Sequence, residues 1–321
     1  MSVASISPAT ADVWADVWAV VVNWNGGERV AACLASLVAA GVLAEHIVLV
    51  DNASTDGSLE RATAAHADVV VLCNDANLGF GEGANQGARY ALNHRAPFVM
   101  WINDDVTLPA DTLPALVAAL VAHPKWGMVG PRVVYPGQPV RVWAAGGRLD
   151  WTHNLSTLIG HGRLDAPEVQ ITRDVDYIPG CALLARRECL DDVGLFEESY
   201  FAYMEDVELG LRARSKGWGV VVVGEVHAVH DASASTGGGY TAKRKYMQAL
   251  NSVRFLREHG SAERWMRFAV CDVLTLPVLF GVGLFTGRAR AVLAKALGLW
   301  HGARGRVVTA ACLEPGGTRL W

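Results

Sequence analysis

The sequence predicts an α/β fold in which a mostly parallel sheet is flanked by helices, followed by a helical C-terminal extension. Two patterns predict this fold. Short apolar runs rich in β-branched residues alternate with segments in which apolar residues recur every third or fourth position. Strands that alternate with helices form parallel sheets covered on both faces. A chain of 321 residues, 51% of them hydrophobic, can bury a core of this size.

Four apolar runs in the first half predict buried strands at residues 18–22, 47–50, 69–72 and 98–102. Helical spacing between and after these runs predicts helices at residues 29–40, 57–66, 83–94 and 110–122. Glycine and proline residues after Pro131 predict long loops over a cleft. The later pattern predicts a strand at residues 177–185, a helix at 206–216 and a strand at 218–223.

The net charge of −4 conceals a difference between the two ends of the chain. Residues 1–240 contain 15 lysines and arginines against 28 aspartates and glutamates, whereas residues 241–321 contain 13 against 4. An acidic body with a basic C-terminal region predicts two domains, residues 1–240 and residues 241–321. The second domain is expected to meet an anionic surface.

Polar residues directly follow three predicted strands, at the edge where ligands bind in sheets of this kind. These residues are Asn23, Asn25, Asp51, Asn103, Asp104 and Asp105. Adjacent carboxylates such as Asp104 and Asp105 repel each other unless a cation lies between them, and Mg²⁺ and Mn²⁺ suit oxygen ligands. The alternative is a solvated turn that caps the next helix. Asp51 likewise suits either a turn or a hydrogen bond to a base or ribose.

A glycine-rich segment at residues 77–87 leads into a predicted helix. Glycines let the backbone approach a ligand closely, and a helix N-terminus attracts phosphate oxygens. The segment lacks the Gly-Lys-Ser/Thr of a P-loop and lies too far from the first strand for a dinucleotide-binding fingerprint. It indicates a phosphate contact without specifying the ligand.

Glu205 and Asp206 lie between the aromatic segment 200–203 and a predicted helix. Acidic residues in a first helical turn complement the helix dipole, which is a structural explanation for the pair. Aromatic neighbours can also reduce the exposure of a carboxyl group and raise its pKa, as a general base requires. His230 follows the strand at residues 218–223, and a histidine there is either a metal ligand or a packed residue.

Six segments together resemble the family 2 glycosyltransferases of the GT-A fold, especially rhamnosyltransferase-like bacterial members. They are VVVNWNG (20–26), VDNASTDG (50–57), NLGFG (77–81), NDDV (103–106), IPGCA (178–182) and YMEDVEL (203–209). Their order and spacing fit the family over residues 18–260. The resemblance implies a GT-A domain at residues 1–240 that transfers a sugar with inversion. It also implies a dTDP- or UDP-linked nucleotide-sugar donor, with dTDP-rhamnose as the first expectation.

The resemblance also implies the roles of individual residues. Asp206 matches the catalytic base, while Asp105 and His230 match the ligands of Mg²⁺ or Mn²⁺. Asp51 matches the contact to the nucleotide base. The other implied substrate contacts are Asn23, Asn25, Asn77, Gly79, Asn85, Asn103, Asp104 and Glu205. Asn103 departs from the family pattern, because an aspartate usually stands first in this acidic motif.

The C-terminal region contains an uncharged apolar run at residues 273–286 with arginines and a lysine around it. The run is shorter than the roughly 20 residues of a membrane span, which favours an interfacial or re-entrant segment on anionic lipid. The alternatives are a buried helical hairpin and a contact in a homodimer. Aliphatic rather than aromatic neighbours of the basic residues argue against nucleic acid as a partner. A membrane-bound enzyme of this kind is expected to use a glycan or polyprenyl-linked acceptor.

We expect a cytoplasmic protein held on the inner face of the cell membrane. The residues before Asp12 lack the basic start and apolar run of a secretory signal, and the six cysteines form no Cys-x-x-Cys pair. Two other functions stay open at this point. A sugar nucleotidyltransferase would be expected to carry a basic glycine-rich loop after the first strand, which residues 23–28 do not resemble. A non-catalytic sugar- or lipid-binding protein with a degenerate transferase fold would have no use for both Asp105 and Asp206.

Overall fold

The computed structural model describes residues 16–231, 240–318 and 320–321. Strands and helices alternate along the first of these ranges. The strands are β1 (Val17–Asn23), β2 (Ile47–Asp51), β3 (Val70–Cys73), β4 (Phe98–Asn103), β5 (Val106–Thr107), β6 (Trp126–Val134), β7 (Val142–Ala144), β8 (Gly147–Leu149), β9 (Ser156–Leu158), β10 (Arg173–Asp174), β11 (Ala182–Arg186) and β12 (Gly219–His230). The helices are α1 (Arg29–Ala39), α2 (Ser58–Ala65), α3 (Phe80–Asn93), α4 (Thr112–Ala122), α5 (Arg187–Val193) and α6 (Glu205–Ser215).

The main sheet has the strand order β10-β12-β6-β11-β4-β1-β2-β3, while β5 pairs with β12 and β7 pairs with β6. Pairing is parallel across β4, β1, β2 and β3, and antiparallel where β11 joins β4 and β6. Asn23 is in register with Asp51, and Val22 is in register with Asn103. The polar residues that follow β1, β2 and β4 therefore lie at one edge of the sheet.

The core lies on both faces of the sheet because alternate residues of a strand point in opposite directions. Val17, Ala19 and Val21 of β1 belong to the apolar cluster that also contains residues of α1 and α4. Trp18 and Val20 belong to the cluster that contains the small residues of α3. This arrangement confirms the predicted α/β architecture.

Helix α3 begins at Phe80 rather than at residue 83, although Gly81, Gly83 and Gly87 lie within it. Glycine disfavours a helix in isolation, so the predicted start fell after the first of these glycines. The structure gives the reason for them. A Cβ atom on Gly87 would lie 2.3 Å from a methyl carbon of Val20, so the helix can pack this closely on β1 only with glycine there.

The strand predicted at residues 177–185 begins only at Ala182, and the strand predicted at 218–223 continues to His230. Pro179 has no backbone N–H for a ladder, and the Gly180 N–H donates to Asp206 Oδ2 at 3.0 Å. Neither residue therefore donates a hydrogen bond to the sheet, and residues 177–181 stay outside β11. Strand β12 is longer because it pairs with β6 and then with β5.

The C-terminal region is helical, as predicted. It consists of α7 (Ala242–His259), α8 (Ala262–Phe268), a π-helical turn (Ala269–Val273), α9 (Leu276–Thr286), α10 (Ala289–Ala303) and α11 (Ala310–Leu313). Helix α7 is joined to the first region by polar contacts, including a partly buried hydrogen bond from Tyr200 Oη to Glu258 at 2.9 Å. The predicted boundary at residue 240 thus precedes a helix that packs against the strand-rich region.

Residues Ala262–Thr286 form one helical segment of 25 residues that is long and apolar enough to cross a membrane, and its most apolar stretch of 18 residues has a mean hydropathy of 2.1. The helix begins 11 residues before the uncharged run of residues 273–286, and this added part contains Glu263, Arg264, Arg267 and Asp272. One side of it packs on the protein, where the fully buried Asp272 pairs with Lys295 and accepts a hydrogen bond from the Asn154 N–H at 2.7 Å. Only 17% of its most apolar part is buried, so most of the segment faces outward.

Candidate active site

The loops after β1 and β2 are joined by a buried polar network around Asn23. The Asn23 amide nitrogen donates to Asp51 Oδ1 at 2.7 Å and to Ser58 Oγ at 2.9 Å, with Ser54 Oγ 3.1 Å away. Asp51 also accepts a hydrogen bond from the Ser54 N–H at 2.9 Å. We call Asn23, Asp51, Ser54 and Ser58 the Asn23 network. Asn23 is fully buried, so it acts on any ligand through Asp51.

Asn25, Asn77 and Gly79 shape the backbone beside this network. Asn25 adopts a positive φ of 54°, and its Oδ1 accepts a hydrogen bond from the Thr55 N–H at 2.8 Å. Asn77 Oδ1 accepts one from the Gly79 N–H at 2.9 Å. A Cβ atom on Gly79 would lie 2.5 Å from the Phe201 carbonyl oxygen, so this glycine brings the loop against the segment that precedes α6.

Asn85 holds the protein together rather than facing the site. Its side chain is 1% exposed, and its amide donates to the Phe196 carbonyl at 2.8 Å and accepts from the Phe196 N–H at 3.0 Å. The amide nitrogen and the amide oxygen of Asn85 are thus both hydrogen-bonded to the backbone of Phe196. This geometry argues against the predicted substrate contact, and the spacing within α3 alone does not reveal it.

The residues after β4 bring carboxylates into the protein. Asp105 is 4% exposed, and its Oδ1 lies 3.1 Å from His230 Nε2 at the end of β12. Pairing of β5 with β12 sets this distance, since Val106 is in register with His230. Burial and the neighbouring Asp105 raise the pKa of Asp104 to about 7. Asp104 lies against Gly26, where a Cβ atom would be 2.4 Å from its Oδ2.

Asp105 and His230 fit a divalent cation by their chemistry and their separation. Ligands on adjacent corners of an octahedron with bonds of about 2.1 Å lie about 3 Å apart, close to the distance between these two atoms. Within the described ranges, no group of three or more His, Cys, Asp or Glu side chains is arranged to hold a metal. A cation here would need further ligands from water or from phosphate oxygens, which is common for Mg²⁺.

Asp206 and Glu205 begin α6 after a strained segment. Phe201, Tyr203 and Met204 have φ values of 63°, 70° and 81°, a left-handed conformation that non-glycine residues rarely adopt. Asn251 of α7 stabilises this segment, because its buried side-chain amide lies 2.8–2.9 Å from the carbonyl oxygens of Tyr200, Ala202 and Tyr203. The C-terminal region therefore fixes where the two carboxylates point.

Burial raises the pKa of both carboxyl groups. For Glu205, which is 6% exposed, Asp206 adds to the effect of burial. For Asp206, hydrogen bonds from the backbone N–H groups of Gly180 and Val207 oppose the effect of burial without cancelling it. A carboxylate that holds its proton more tightly than usual suits a general base.

Glu205 and Asp206 line a cavity of about 210 Å³, together with some residues not foreseen from the sequence. Its lining residues are Phe80, Asn103, Trp143, Pro179, Gly180, Cys181, Ala202, Tyr203, Glu205, Asp206, His230 and Arg244. Arg244 comes from the first turn of α7 and lies 5.5 Å from the centre of the Tyr203 ring. Basic residues cluster at 243–245, but only the fold shows that Arg244 faces the cavity.

Comparison with known proteins relates this arrangement to sugar transfer. Residues 18–194 match the family model "Glycosyl transferase family 2". The chain is 33% identical over 239 residues to an N-acetylglucosaminyl-diphospho-decaprenol L-rhamnosyltransferase of Mycobacterium tuberculosis, covering 68% of this chain and 76% of the relative. It is 23% identical over 249 residues to the low-salt glycan biosynthesis hexosyltransferase Agl10 of Haloferax volcanii, covering 76% of each chain.

Two solved structures share the fold. GalNAc-T7, crystallised with UDP, GalNAc and Mn²⁺, superposes with a TM-score of 0.55 at 15% identity over 81% of this chain and 57% of that chain. The mannosyltransferase PcManGT from Pyrobaculum calidifontis, in complex with GDP-Man and Mn²⁺, gives 0.52 at 19% identity over 93% of this chain and 78% of that chain. These likenesses confirm the predicted GT-A fold.

The family match covers β1 to β4, β11 and the loops that carry the Asn23 network, Asp104 and Asp105. Neither a nucleotidyltransferase nor a non-catalytic binding protein accounts for this match together with the rhamnosyltransferase relative. The chain belongs to glycosyl transferase family 2 and is a rhamnosyltransferase-like glycosyltransferase.

Proposed function

We propose that this glycosyltransferase moves rhamnose from dTDP-rhamnose, with inversion, to a hydroxyl group of a lipid-linked glycan. One observation carries the proposal: Asp206 and the Asp105–His230 pair line or adjoin the same cavity at the edge of the sheet. A base and a site for the cation that neutralises the diphosphate, both at one cavity, are what a direct displacement requires. The choice of rhamnose and of a lipid-linked acceptor is supported by the mycobacterial relative, and UDP sugars are the alternative donors.

Asp206 acts as the base in this proposal. Its carboxylate takes the proton of the acceptor hydroxyl while that oxygen attacks the anomeric carbon and the bond to the diphosphate breaks. The backbone N–H groups of Gly180 and Val207 fix the carboxylate in place. Attack from the face opposite the leaving group inverts the anomeric centre.

Asp105 and His230 would hold the divalent cation, Mg²⁺ or Mn²⁺. When bound, the cation stabilises the negative charge that develops on the diphosphate leaving group. Arg244 adds a guanidinium to the same cavity and would bind a phosphate oxygen. Asp51, held by the Asn23 network, would accept a hydrogen bond from the nucleotide base.

The C-terminal region is proposed to lie on an anionic membrane surface. Leu274, Val278 and Phe285 are 69%, 69% and 93% exposed along the apolar segment. The buried Asp272–Lys295 pair keeps the other side of the segment on the protein, which favours an interfacial position over a span. Liposome flotation tests this. The full chain should float with anionic vesicles and a chain ending at Ser261 should not, whereas a dimer contact would instead show as a change in sedimentation.

The donor and the cation are tested by thermal unfolding with a panel of nucleotide sugars. A donor that binds only the folded protein at 100 times its Kd should add about 2.7 kcal/mol of stability. We expect dTDP-rhamnose to raise the Tm when Mn²⁺ or Mg²⁺ is present, and a chelator to abolish transfer. Activity that survives exhaustive chelation would contradict the requirement for a divalent cation. A panel in which no nucleotide sugar stabilises the protein would contradict the proposed function.

A further inference from the structure

An apolar groove lies between α7, α8, the π-helical turn and α10. Its volume is about 350 Å³, within the range of small-molecule sites. Its lining residues are Val253, Arg257, Trp265, Phe268, Ala269, Val273, Leu299, Trp300 and Ala303. Val253, Phe268 and Leu299 are buried and form its floor, whereas Trp265 and Trp300 are 37% and 48% exposed at its rim. The groove therefore has an apolar floor and an aromatic mouth.

The mouth of the groove is basic as well as aromatic. Arg257 is the only charged residue among those that line it, and its Nη2 donates to the Ala303 carbonyl at 2.6 Å. The Arg304 guanidinium lies 3.6 Å from the centre of the Trp300 ring. Tryptophan suits the boundary between hydrocarbon and water, and arginine binds phosphate oxygens. This combination fits a hydrocarbon chain that carries an anionic head group.

The groove continues directly into the exposed side of the apolar segment. Trp265, Ala269 and Val273 are four residues apart and share one face of the helix, which lines the groove. The next positions along the helix, Met266, Val270 and Leu274, are 63%, 53% and 69% exposed. These two rows are adjacent on the helix surface. A hydrocarbon chain that leaves a membrane along the exposed row can therefore enter the groove.

Helix α7 connects the groove with the candidate active site. Arg244, in its first turn, lines the active-site cavity, and Val253 and Arg257 further along line the groove. A rise of 1.5 Å per residue puts these positions roughly 14 to 20 Å apart along the helix axis. A sugar joined through a diphosphate to a long isoprenoid chain can bridge that distance.

We infer that this groove binds the isoprenoid chain of the lipid-linked acceptor and so positions the acceptor sugar at Asp206. The inference rests on the proposed function, since it takes the acceptor to be a sugar on an isoprenoid diphosphate. The groove would bury part of the chain, and the rest of the chain, with the diphosphate and the sugar, would span the distance to Asp206.

The first test measures binding of dansyl-labelled geranylgeranyl diphosphate by fluorescence anisotropy. Ala269→Trp fills the groove from the π-helical turn, and Ala303→Trp fills it from α10. Each should weaken binding by at least about tenfold, which corresponds to the burial of about two methylene groups. The controls are Val282→Trp and Leu293→Trp, exposed positions that do not line the groove. They should bind the probe as the unmodified protein does.

The second test compares transfer to GlcNAc-diphosphate on a long isoprenoid chain and on a short alkyl chain. The two groove-filling variants should lose about tenfold of the preference in kcat/KM for the long chain and keep their rate with the short one. Probe binding that survives both substitutions would overturn the inference. The inference would also be overturned if the two variants lost vesicle binding but kept their preference for the long isoprenoid chain, because the groove would then bind bilayer lipid. Groove-dependent probe binding without any sugar transfer would instead contradict the proposed function.

Discussion

The Asn23 network and the acidic cluster, which comprises Asp104, Asp105, Glu205 and Asp206, lie at the same edge of the sheet but differ in their electrostatics. In the network, Asp51 accepts hydrogen bonds from the Asn23 amide and the Ser54 N–H. In the cluster, burial raises the pKa of Asp104, Glu205 and Asp206. Matched hydrogen bonds stabilise the fold, whereas buried carboxylates near one another cost stability unless a proton or a cation neutralises them.

The difference separates two tasks. The hydrogen bonds of the network hold Asp51 in one orientation, which suits recognition of a rigid group such as a nucleotide base. The negative charges of the cluster are balanced only when the reactants bind, which suits a reaction step. Proteins commonly break local rules of stability at functional sites, and here the cluster breaks them while the network does not.

Asp206→Asn should produce the largest effect, because it removes the proposed base while leaving the side chain the same size. We expect transfer to fall by about 10²- to 10⁴-fold, the usual contribution of a general base, with donor affinity unchanged. Single-turnover kinetics and calorimetric titration of the donor measure the two quantities. Asp174→Asn, at an exposed position in β10, is the matched control. Turnover above a tenth of the original would assign the base to another residue.

Asn23→Ala should break the network without touching the cluster. It leaves Asp51 and Ser58 without their buried partner, so the free energy of unfolding should fall by about 1–3 kcal/mol. Urea denaturation measures this change. Asn93→Ala, at an exposed position in α3, should stay within about 0.5 kcal/mol of the original protein. An unchanged midpoint for Asn23→Ala would mean that the network does not stabilise the fold.

Glu205→Gln tests how the ionisation of a buried carboxyl group in the cluster changes the stability of the protein with pH. Burial raises the folded-state pKa of Glu205 above its unfolded value, so its contribution to stability is present at low pH and is lost as pH rises through the folded-state pKa. Without metal, the protein should be less stable at pH 8 than at pH 5. The variant should be more stable at pH 8 by at least about 1 kcal/mol.

Denaturation of the metal-free proteins across this pH range checks the prediction. Glu188→Gln, at an exposed position in α5, should follow the original curve. If the curves of the original protein and Glu205→Gln coincide, ionisation of Glu205 does not destabilise the folded protein. The same experiment with saturating donor and Mn²⁺ should reduce the difference, because the added positive charge favours ionised carboxylates.

Arg244→Gln should affect phosphate binding alone, since it changes a group beside the cluster. Loss of one charge-assisted hydrogen bond should weaken dTDP or UDP binding by about tenfold, or about 1.4 kcal/mol. Thymidine and uridine, which carry no phosphate, should bind unchanged. Lys243→Gln, the neighbouring residue that does not line the cavity, is the control. Equal diphosphate affinity for Arg244→Gln and the original protein would remove Arg244 from the site.

The network and the cluster also differ in how far the sequence predicts them. The residues of the network follow β1 and β2, and parallel strands bring their ends together, so the strand pattern is sufficient. The cluster depends on contacts between distant parts of the chain. The distance between Asp105 and His230 is set by the pairing of β5, only two residues long, with β12.

Other parts of the site could not be foreseen for related reasons. Asn85 is a polar residue on a helix near the site, and only the position of the loop at Phe196 reveals its structural role. Arg244 reaches the cavity because α7 packs beside the 200–204 segment, which the charge pattern does not indicate. The strained backbone before α6 leaves no pattern of its own, since Phe, Tyr and Met are ordinary residues that the surrounding structure holds in a rare conformation.

The contact of Asn251 with the strained segment has a consequence for biosynthesis. Asp206 leaves the ribosome before the helix that fixes its position exists, so a nascent chain that ends before residue 251 lacks the three carbonyl contacts of Asn251. Helix α7 is made immediately before the apolar segment Ala262–Thr286. The position of Asp206, the proposed base, and the surface proposed to meet the membrane are therefore completed at nearly the same point of translation. We expect little sugar transfer by the growing chain before its apolar segment has been made.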